Sequence, residues 1–317
     1  MNKSLKIINR GDLIGNNIIG DILQIIIGDL EHYYIKDIED TLDNKSGADI
    51  KNSIFIQTLN EVIKFINKDR NDNNIIEDII DRNDEYYKSN NIYSIKKMAL
   101  KVCILTKQDI LSYFREKYYN IFHTSFDKLN NKYHIDYDWS KIICLHLRLG
   151  DINYNNRFEY NGSYSSKFYL NKINDDVDYY IESEKIKFLE DNIPLEEKNM
   201  NPNIDLYDAQ APINPNILIS IINKIKQEKP EHKLLIVASP YGVIPIQSDY
   251  VIRSRDENND IYAMIQSDIL ICSKSYFSLT AAFLHKGSKI YLPMWGSFAS
   301  LGFTSKYDKT SNIEYFY

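Results

Sequence analysis

The sequence predicts an α/β protein organised around a parallel sheet, and three observations carry that prediction. In the last third, short apolar runs at 233–238, 269–272 and 289–293 alternate with stretches of helical periodicity at 216–227, 261–267 and 275–285. Strands that alternate with helices form βαβ units, and βαβ units make parallel sheets. The run 141–149 is apolar on both of its alternating faces apart from Lys141 at its start and His146 and Arg148 near its end, as expected of a strand covered on both sides. Finally, the chain has 317 residues, 44% of them hydrophobic and 26% charged. That suffices for one large domain or two of about 150 residues, and it excludes a disordered polypeptide.

In chain order, residues 5–8 predict a short strand. It runs into the loop 10–17, which contains Gly15, Asn16 and Asn17. A helix follows, with Ile18, Ile19, Ile22, Ile25 and Ile26 at the spacing of one helical face. A strand, a glycine turn and a helix start can form an anion-binding corner, and equally an ordinary turn. Residues 35–137 are mostly helical and polar. Helical spacing is clear over 54–66 and 98–119, and the Asn/Asp-dense stretch 67–91 reads as a solvated loop with a short helix. The strand 141–149 ends in Gly150-Asp151. Residues 153–216 read as loops with one helix near 179–189. A helix over 216–227, a strand over 233–238, another within 244–252, a helix over 261–267, a strand over 269–272, a helix over 275–285 and a strand over 289–293 complete the order. There is no internal repeat.

Composition narrows the function. A net charge of −6 and an isoelectric point near 5.6 argue against a broad electrostatic grip on nucleic acid, while leaving room for a local pocket for one anion. Cys103, Cys144 and Cys272 all lie in apolar runs. Three cysteines cannot build a disulfide scaffold, and buried reduced thiols suit a cytoplasmic protein. Residues 1–10 carry no export signal. The apolar stretch 18–30 is broken by Gly20, Asp21, Gln24 and Asp29 and is too short to cross a bilayer. A soluble cytoplasmic protein with no transmembrane segment is therefore expected. The abundance of Ile, Asn, Lys and Tyr follows AT-rich codons, so Ile runs and Asn-rich loops carry little weight as signals.

Two segments could carry chemistry. The first is His146-Leu-Arg148-Leu-Gly150-Asp151, with polar residues at the carboxyl end of a buried strand, where parallel sheets bind ligands. His146 and Arg148 are two residues apart and share a face. Arginine grips phosphate bidentately; it also pairs with structural carboxylates. The second runs from Asp260 to Ala282 and reads as helix, short strand, polar loop and helix. Ser273, Lys274 and Ser275 would stand at the start of the last helix, either as a diphosphate cradle or as a serine-capped helix start.

Together these segments resemble the GDP-fucose-dependent fucosyltransferases, most closely the α-1,2-fucosyltransferase family. That family carries His-x-Arg-Arg-Gly-Asp at a strand end, where this chain has His146 to Asp151. It has an Asp that opens a helix and, about 15 residues on, Asn-Ser-Ser/Thr-Phe-Ser-Trp-Trp-Ala-Ala; here Asp260 precedes Lys274-Ser-Tyr-Phe-Ser-Leu-Thr-Ala-Ala without a gap. Gly15-Asn16-Asn17 is similar to the family's opening Gly-Asn-Gln loop. The matches fall at the start, middle and end of the chain, in the family's order.

The resemblance implies a GT-B-like architecture of two Rossmann-like domains facing across a cleft. Residues 1–140 would form a largely helical acceptor-side domain and residues 141–317 the GDP-sugar-binding domain. Arg148 would bind the diphosphate and stabilise the departing GDP. His146 would lie against the nucleotide and Asp260 would bond the guanine edge. Ser275, Tyr276 and Phe277 would present backbone N–H groups and a hydroxyl to the phosphates. Gly15 and Asn16 would sit near the fucose. Asp151 and Glu159 are the candidates for the base, and Asp151 could instead orient Arg148. No cofactor beyond the GDP-fucose donor is implied, and a glycan hydroxyl is the acceptor.

The chain departs from the family at Leu149 (for Arg), Lys274 (for Asn) and Leu279-Thr280 (for the Trp pair). Ser239-Pro-Tyr also stands where Ser-Asp-Asp is expected. Those departures motivate two alternatives: a non-catalytic GDP- or glycan-binding descendant, and a transferase for another nucleotide sugar. A third rival is a metal-dependent GT-A transferase holding its ion on Asp176 and Asp178; these residues sit in an Asn/Asp-rich loop rather than after a strand. Trp295, after the last apolar run, could line a sugar site.

Overall fold

The computed structural model describes residues 3–6, 14–38, 54–70, 76–79, 98, 102, 105–106, 110–129, 137–148, 213, 215–238, 244–253, 257–293 and 312–316. The chain is a mixed α/β protein with parallel sheets, as the strand–helix alternation predicts. It divides into two compact units, Met1–His134 with Leu301–Phe303, and Ile135–Ser300 with Thr304–Tyr317.

The first unit contains β1 (Lys3–Lys6), α1 (Ile14–Leu30), β2 (Tyr34–Ile35), α2 (Ile54–Asn67), β3 (Ile76–Ile79) and α3 (Ile110–Leu129). Its three strands pair in parallel in the order β2-β1-β3. The strand β3 lies inside the stretch read as a solvated loop. Its sequence, Ile-Glu-Asp-Ile, is too short and too charged to show a strand period. In α1, every side chain from Ile18 to Asp29 that the structure describes is buried, so the helix is covered all round. It begins at Ile14, which puts Gly15, Asn16 and Asn17 in the first helical turn rather than in the loop expected there. The helix expected over 98–119 has its long segment later, in α3. There Phe114, Tyr118, Phe122 and Phe126 recur every four residues and are all buried. Phe55 of α2 meets this stripe, with ring centroids 5.3 Å from Phe126 and 6.5 Å from Phe122.

The end of α1 is fastened by hydrogen bonds rather than by apolar packing alone. Tyr33 N–H donates to the Gly28 carbonyl (2.8 Å) and His32 N–H to that of Asp29 (3.1 Å). This is a Schellman closure in which His32, at φ 59°, takes the left-handed position usually held by glycine. Arg70 donates to the Tyr33 carbonyl (2.6 Å) and pairs with Asp29 (2.5 Å). Lys117 (2.6 Å) and the Tyr118 hydroxyl also reach the Asp29 carboxylate. Burial pushes the Asp29 carboxyl up. The bonds from Lys117 and Tyr118, with the charges of Lys117 and Arg70, outweigh it and hold the group below its ordinary range. At the sheet edge, the Asn67 side chain completes β2 by accepting from Ile35 N–H (3.0 Å) and donating to its carbonyl (2.6 Å).

The second unit opens with a 3-10 turn, Trp139–Lys141. Then come β4 (Ile142–Leu147), α4 (Pro215–Glu228), β5 (Lys233–Ala238), β6 (Tyr250–Ile252), α5 (Glu257–Gln266), β7 (Ile269–Ile271), α6 (Tyr276–Leu284), β8 (Lys289–Pro293) and β9 (Ile313–Phe316). All six strands are parallel, in the order β6-β5-β4-β7-β8-β9. Counted along this unit, that order is 3-2-1-4-5-6, the one that dinucleotide-binding doubly wound sheets use. The central strand β4 pairs on one side with β5 (Ile143 opposite Leu234) and on the other with β7 (Ile143 opposite Ile269). One face of its residues (Ile143, Leu145, Leu147) packs with Leu218, Ile222 and Ile225 of α4 in a single buried cluster. The last strand, β9, was not expected; Ile-Glu-Tyr-Phe is too short a run to stand out in so Ile- and Tyr-rich a chain.

At the strand-entry end of this sheet, Asp268 collects three elements. Its carboxylate meets Lys229 Nζ at 2.7 Å and His232 Nε2 at 2.8 Å, and it accepts the Ser288 N–H at 3.3 Å. Burial raises its pKa, but the bonds from Lys229, Ser288 and His232 win and depress it to about 2. A depressed carboxylate stabilises the fold fully above its unfolded pKa and loses that contribution as pH falls through the folded one. Stability should therefore drop between about pH 4 and pH 2. Urea unfolding across that range should show a shallower acid loss for Asp268→Asn than for the wild type. Equal slopes would contradict this role for Asp268.

Candidate functional site

In a 3-2-1-4-5-6 sheet the connections leave in opposite directions from strands 1 and 4. The crevice beyond their carboxyl ends is where such sheets take ligands. Here those strands are β4 and β7. The polar residues His146 and Arg148 stand at the end of β4, and β7 leads through Cys272, Ser273, Lys274 and Ser275 into α6. The two segments singled out in the sequence thus lie side by side at the switch point, though 127 positions separate His146 from Ser273.

Their contact is specific. Ser273 Oγ lies 2.7 Å from His146 Nδ1. The Phe277 ring, from the first turn of α6, packs against the imidazole with centroids 5.5 Å apart. Ser275 is the N-cap of α6, in extended conformation, and its hydroxyl accepts the Phe277 N–H at 3.2 Å. Ser278 Oγ folds back on the loop, 2.9 Å from the Ser273 carbonyl and 3.1 Å from that of Ser275. Ala281 and Ala282 are fully buried, as expected of small residues that let α6 pack closely.

The electrostatics separate the two β4 residues. Burial, helped by the Arg148 charge, pushes the His146 pKa down to about 3, so the imidazole is neutral at physiological pH. Arg148 is only partly buried, and it carries the positive charge of this strand end. Asp260, the fourth residue of α5, is buried near the middle of β4, where its charge adds to the effect of burial in raising the Cys144 thiol. Burial likewise raises Cys272. Both thiols are free and buried, which keeps them protonated and unreactive.

The corner is more closed than the sequence suggests. The Ser275 N–H donates to the Ser273 carbonyl (2.8 Å) and the Phe277 N–H to the Ser275 hydroxyl. Two of the three backbone donors expected at a phosphate are therefore engaged within the loop itself. Lys274 is buried, as are Ser273 and Ser275. Ser278, which the second motif contains without a task assigned to it, ties the loop together through its bonds to the Ser273 and Ser275 carbonyls.

Of the other expected residues, Gly15 and Asn16 belong to the first turn of α1 in the first unit. Asp151, Glu159, Asp176, Asp178 and Trp295 lie outside the described residues. Among the described residues no group of three or more His, Cys, Asp or Glu side chains could hold a metal ion, and no helix is long and apolar enough to cross a membrane. The chain matches no protein-family model, and no curated protein or solved structure is significantly similar to it.

Proposed function

We propose that the chain is an inverting GT-B-type glycosyltransferase that moves fucose from GDP-fucose to a glycan hydroxyl without a metal ion. The observation that carries this reading is the meeting of β4 and the β7–α6 loop at the switch point of a parallel sheet. There a partly buried arginine, a neutral histidine and a serine-capped helix start stand together. That combination suits a nucleoside diphosphate: a fixed cation for the charge, a helix start for the phosphates, and an uncharged ring as a wall. The guanine and the fucose come from the resemblance of His146–Asp151 and Asp260–Ala282 to the fucosyltransferase motifs.

Each residue then has a task. Fucose leaves GDP through an oxocarbenium-like state, and negative charge grows on the departing diphosphate. Arg148 stabilises that charge where it develops, the kind of electrostatic term that contributes most to such steps. His146 lies against the nucleotide, and Asp260 accepts from the guanine edge. Ser275 offers its hydroxyl to a phosphate, and Tyr276 and Phe277 line the helix start. A carboxylate beside the acceptor hydroxyl takes its proton, and the resemblance offers Asp151 or Glu159 for that task.

Incubation with GDP-fucose and a panel of glycans tests the reading. Acceptor-dependent GDP release, unchanged by EDTA, is expected. Transfer from a UDP-sugar that stops on adding EDTA would contradict it and favour the Asp176/Asp178 alternative. Tight GDP binding with no transfer to any acceptor would point to a non-catalytic descendant, the reading that Leu149, Lys274 and Leu279-Thr280 favour.

A further inference from the structure

We propose that Ser273 is the positioning residue of this site: its hydroxyl donates to His146 Nδ1, keeps the imidazole proton on Nε2, and so makes the ring a hydrogen-bond donor toward the bound nucleotide. The ligand half of this inference rests on the nucleotide-binding reading above; the placement of the proton does not.

The proton assignment follows from counting donors. Ser278 Oγ has one proton and two carbonyls in reach, those of Ser273 (2.9 Å) and Ser275 (3.1 Å), so its proton goes to the backbone. Ser273 Oγ has two neighbours, His146 Nδ1 at 2.7 Å and Ser278 Oγ at 3.4 Å. If Nδ1 carried the proton and donated to Ser273, the serine would have to send its own proton across 3.4 Å to Ser278. Hydroxyl hydrogen bonds to oxygen span about 2.5–3.0 Å, so that arrangement forfeits a bond. With Ser273 donating to Nδ1, both hydroxyl protons are used at good distance, and the imidazole N–H falls on Nε2.

The surroundings support the same state. A doubly protonated ring would need Ser273 to accept instead of donate. It would also have to form in a buried position beside the Arg148 charge, and both conditions oppose it. Ser273 and Phe277, which touch the ring from the loop and from α6, carry no charge. The second position of a histidine sets what the first can do. Ser273 therefore acts through His146, and Ser278 acts through Ser273 by holding its backbone.

Nitrogen NMR of protein labelled at histidine reads the tautomer directly. The His146 signal is assigned by its loss in His146→Gln. In the wild type it should show Nε2–H and an unprotonated Nδ1 at every point from pH 5 to 8. Ser273→Ala should give a mixture of tautomers. It should also weaken GDP binding, measured by calorimetry, by about fivefold to tenfold, the equivalent of one neutral hydrogen bond. An Nδ1–H tautomer in the wild type, a ring that titrates in that pH range, or an unchanged tautomer in Ser273→Ala would overturn the proposal. The wild-type spectrum decides the matter even if the alanine variant fails to fold. Wild-type protein with the Nε2–H tautomer but no affinity for GDP would overturn the nucleotide reading and the ligand half of this inference, and the proton placement would stand.

Discussion

Replacing Arg148 with alanine should lower turnover of GDP-fucose at least about a hundredfold, the scale on which loss of a single charge-stabilising donor is felt in a transition state. The reason is local. His146, two residues earlier on the same strand, is buried and held neutral, so it cannot take over the positive charge. Two of the α6 backbone donors are already engaged within the loop, so under the proposed function the guanidinium is the principal stabiliser of the leaving diphosphate. Arg148→Lys should recover only part of the loss, because an ammonium cannot make the bidentate contact. Steady-state kinetics with melting curves for each variant checks this. Activity within twofold of wild type in a folded Arg148→Ala protein would remove the phosphate role.

Gly287→Ala should destabilise the second unit by about 3 kcal/mol or more, the upper range for overpacking a tight site. A Cβ at Gly287 would stand 2.2 Å from the carbonyl oxygens of both Ser267 and Asp268. Neither is the end of a flexible side chain. Both belong to the turn that launches β7, and Asp268 O also accepts the Ser288 N–H at 2.7 Å. The backbone cannot withdraw without opening the start of β7 or β8 and disturbing Asp268, whose side chain links Lys229, His232 and Ser288. Urea unfolding of the two proteins checks the prediction, and a loss below about 1 kcal/mol, the ordinary effect of a point substitution, would contradict it.

What could be read from the sequence followed the strength of the periodic signals. The second unit was legible because β4, β5, β7 and β8 are near-continuous apolar runs between amphipathic or capped helices. Those runs alone put His146 and Arg148 at a strand end, and Ser275 at a helix start. The strand order was not legible. It depends on which strands pair, and nothing local says that β4 lies between β5 and β7. Strands β2, β3 and β9, with two to four residues each, fell below the length at which alternation can be told from chance. The site was legible as two separate segments. Their junction, Ser273 on His146, is a long-range contact that single-sequence spacing cannot show. The engagement of the Ser275 and Phe277 N–H groups was equally hidden, because it depends on the turn that Ser273 and Ser275 make.

The central claim is that the switch point of the second unit binds a guanine nucleoside diphosphate without a metal. Thermal unfolding with GDP, UDP, CMP and dTDP, each with and without EDTA, tests it most directly. A ligand that binds only the folded state adds about 2.7 kcal/mol of stability at a hundredfold excess over its Kd. A rise in melting temperature with GDP alone, identical in EDTA, is expected. No shift with GDP, or a shift with UDP that EDTA abolishes, would contradict it.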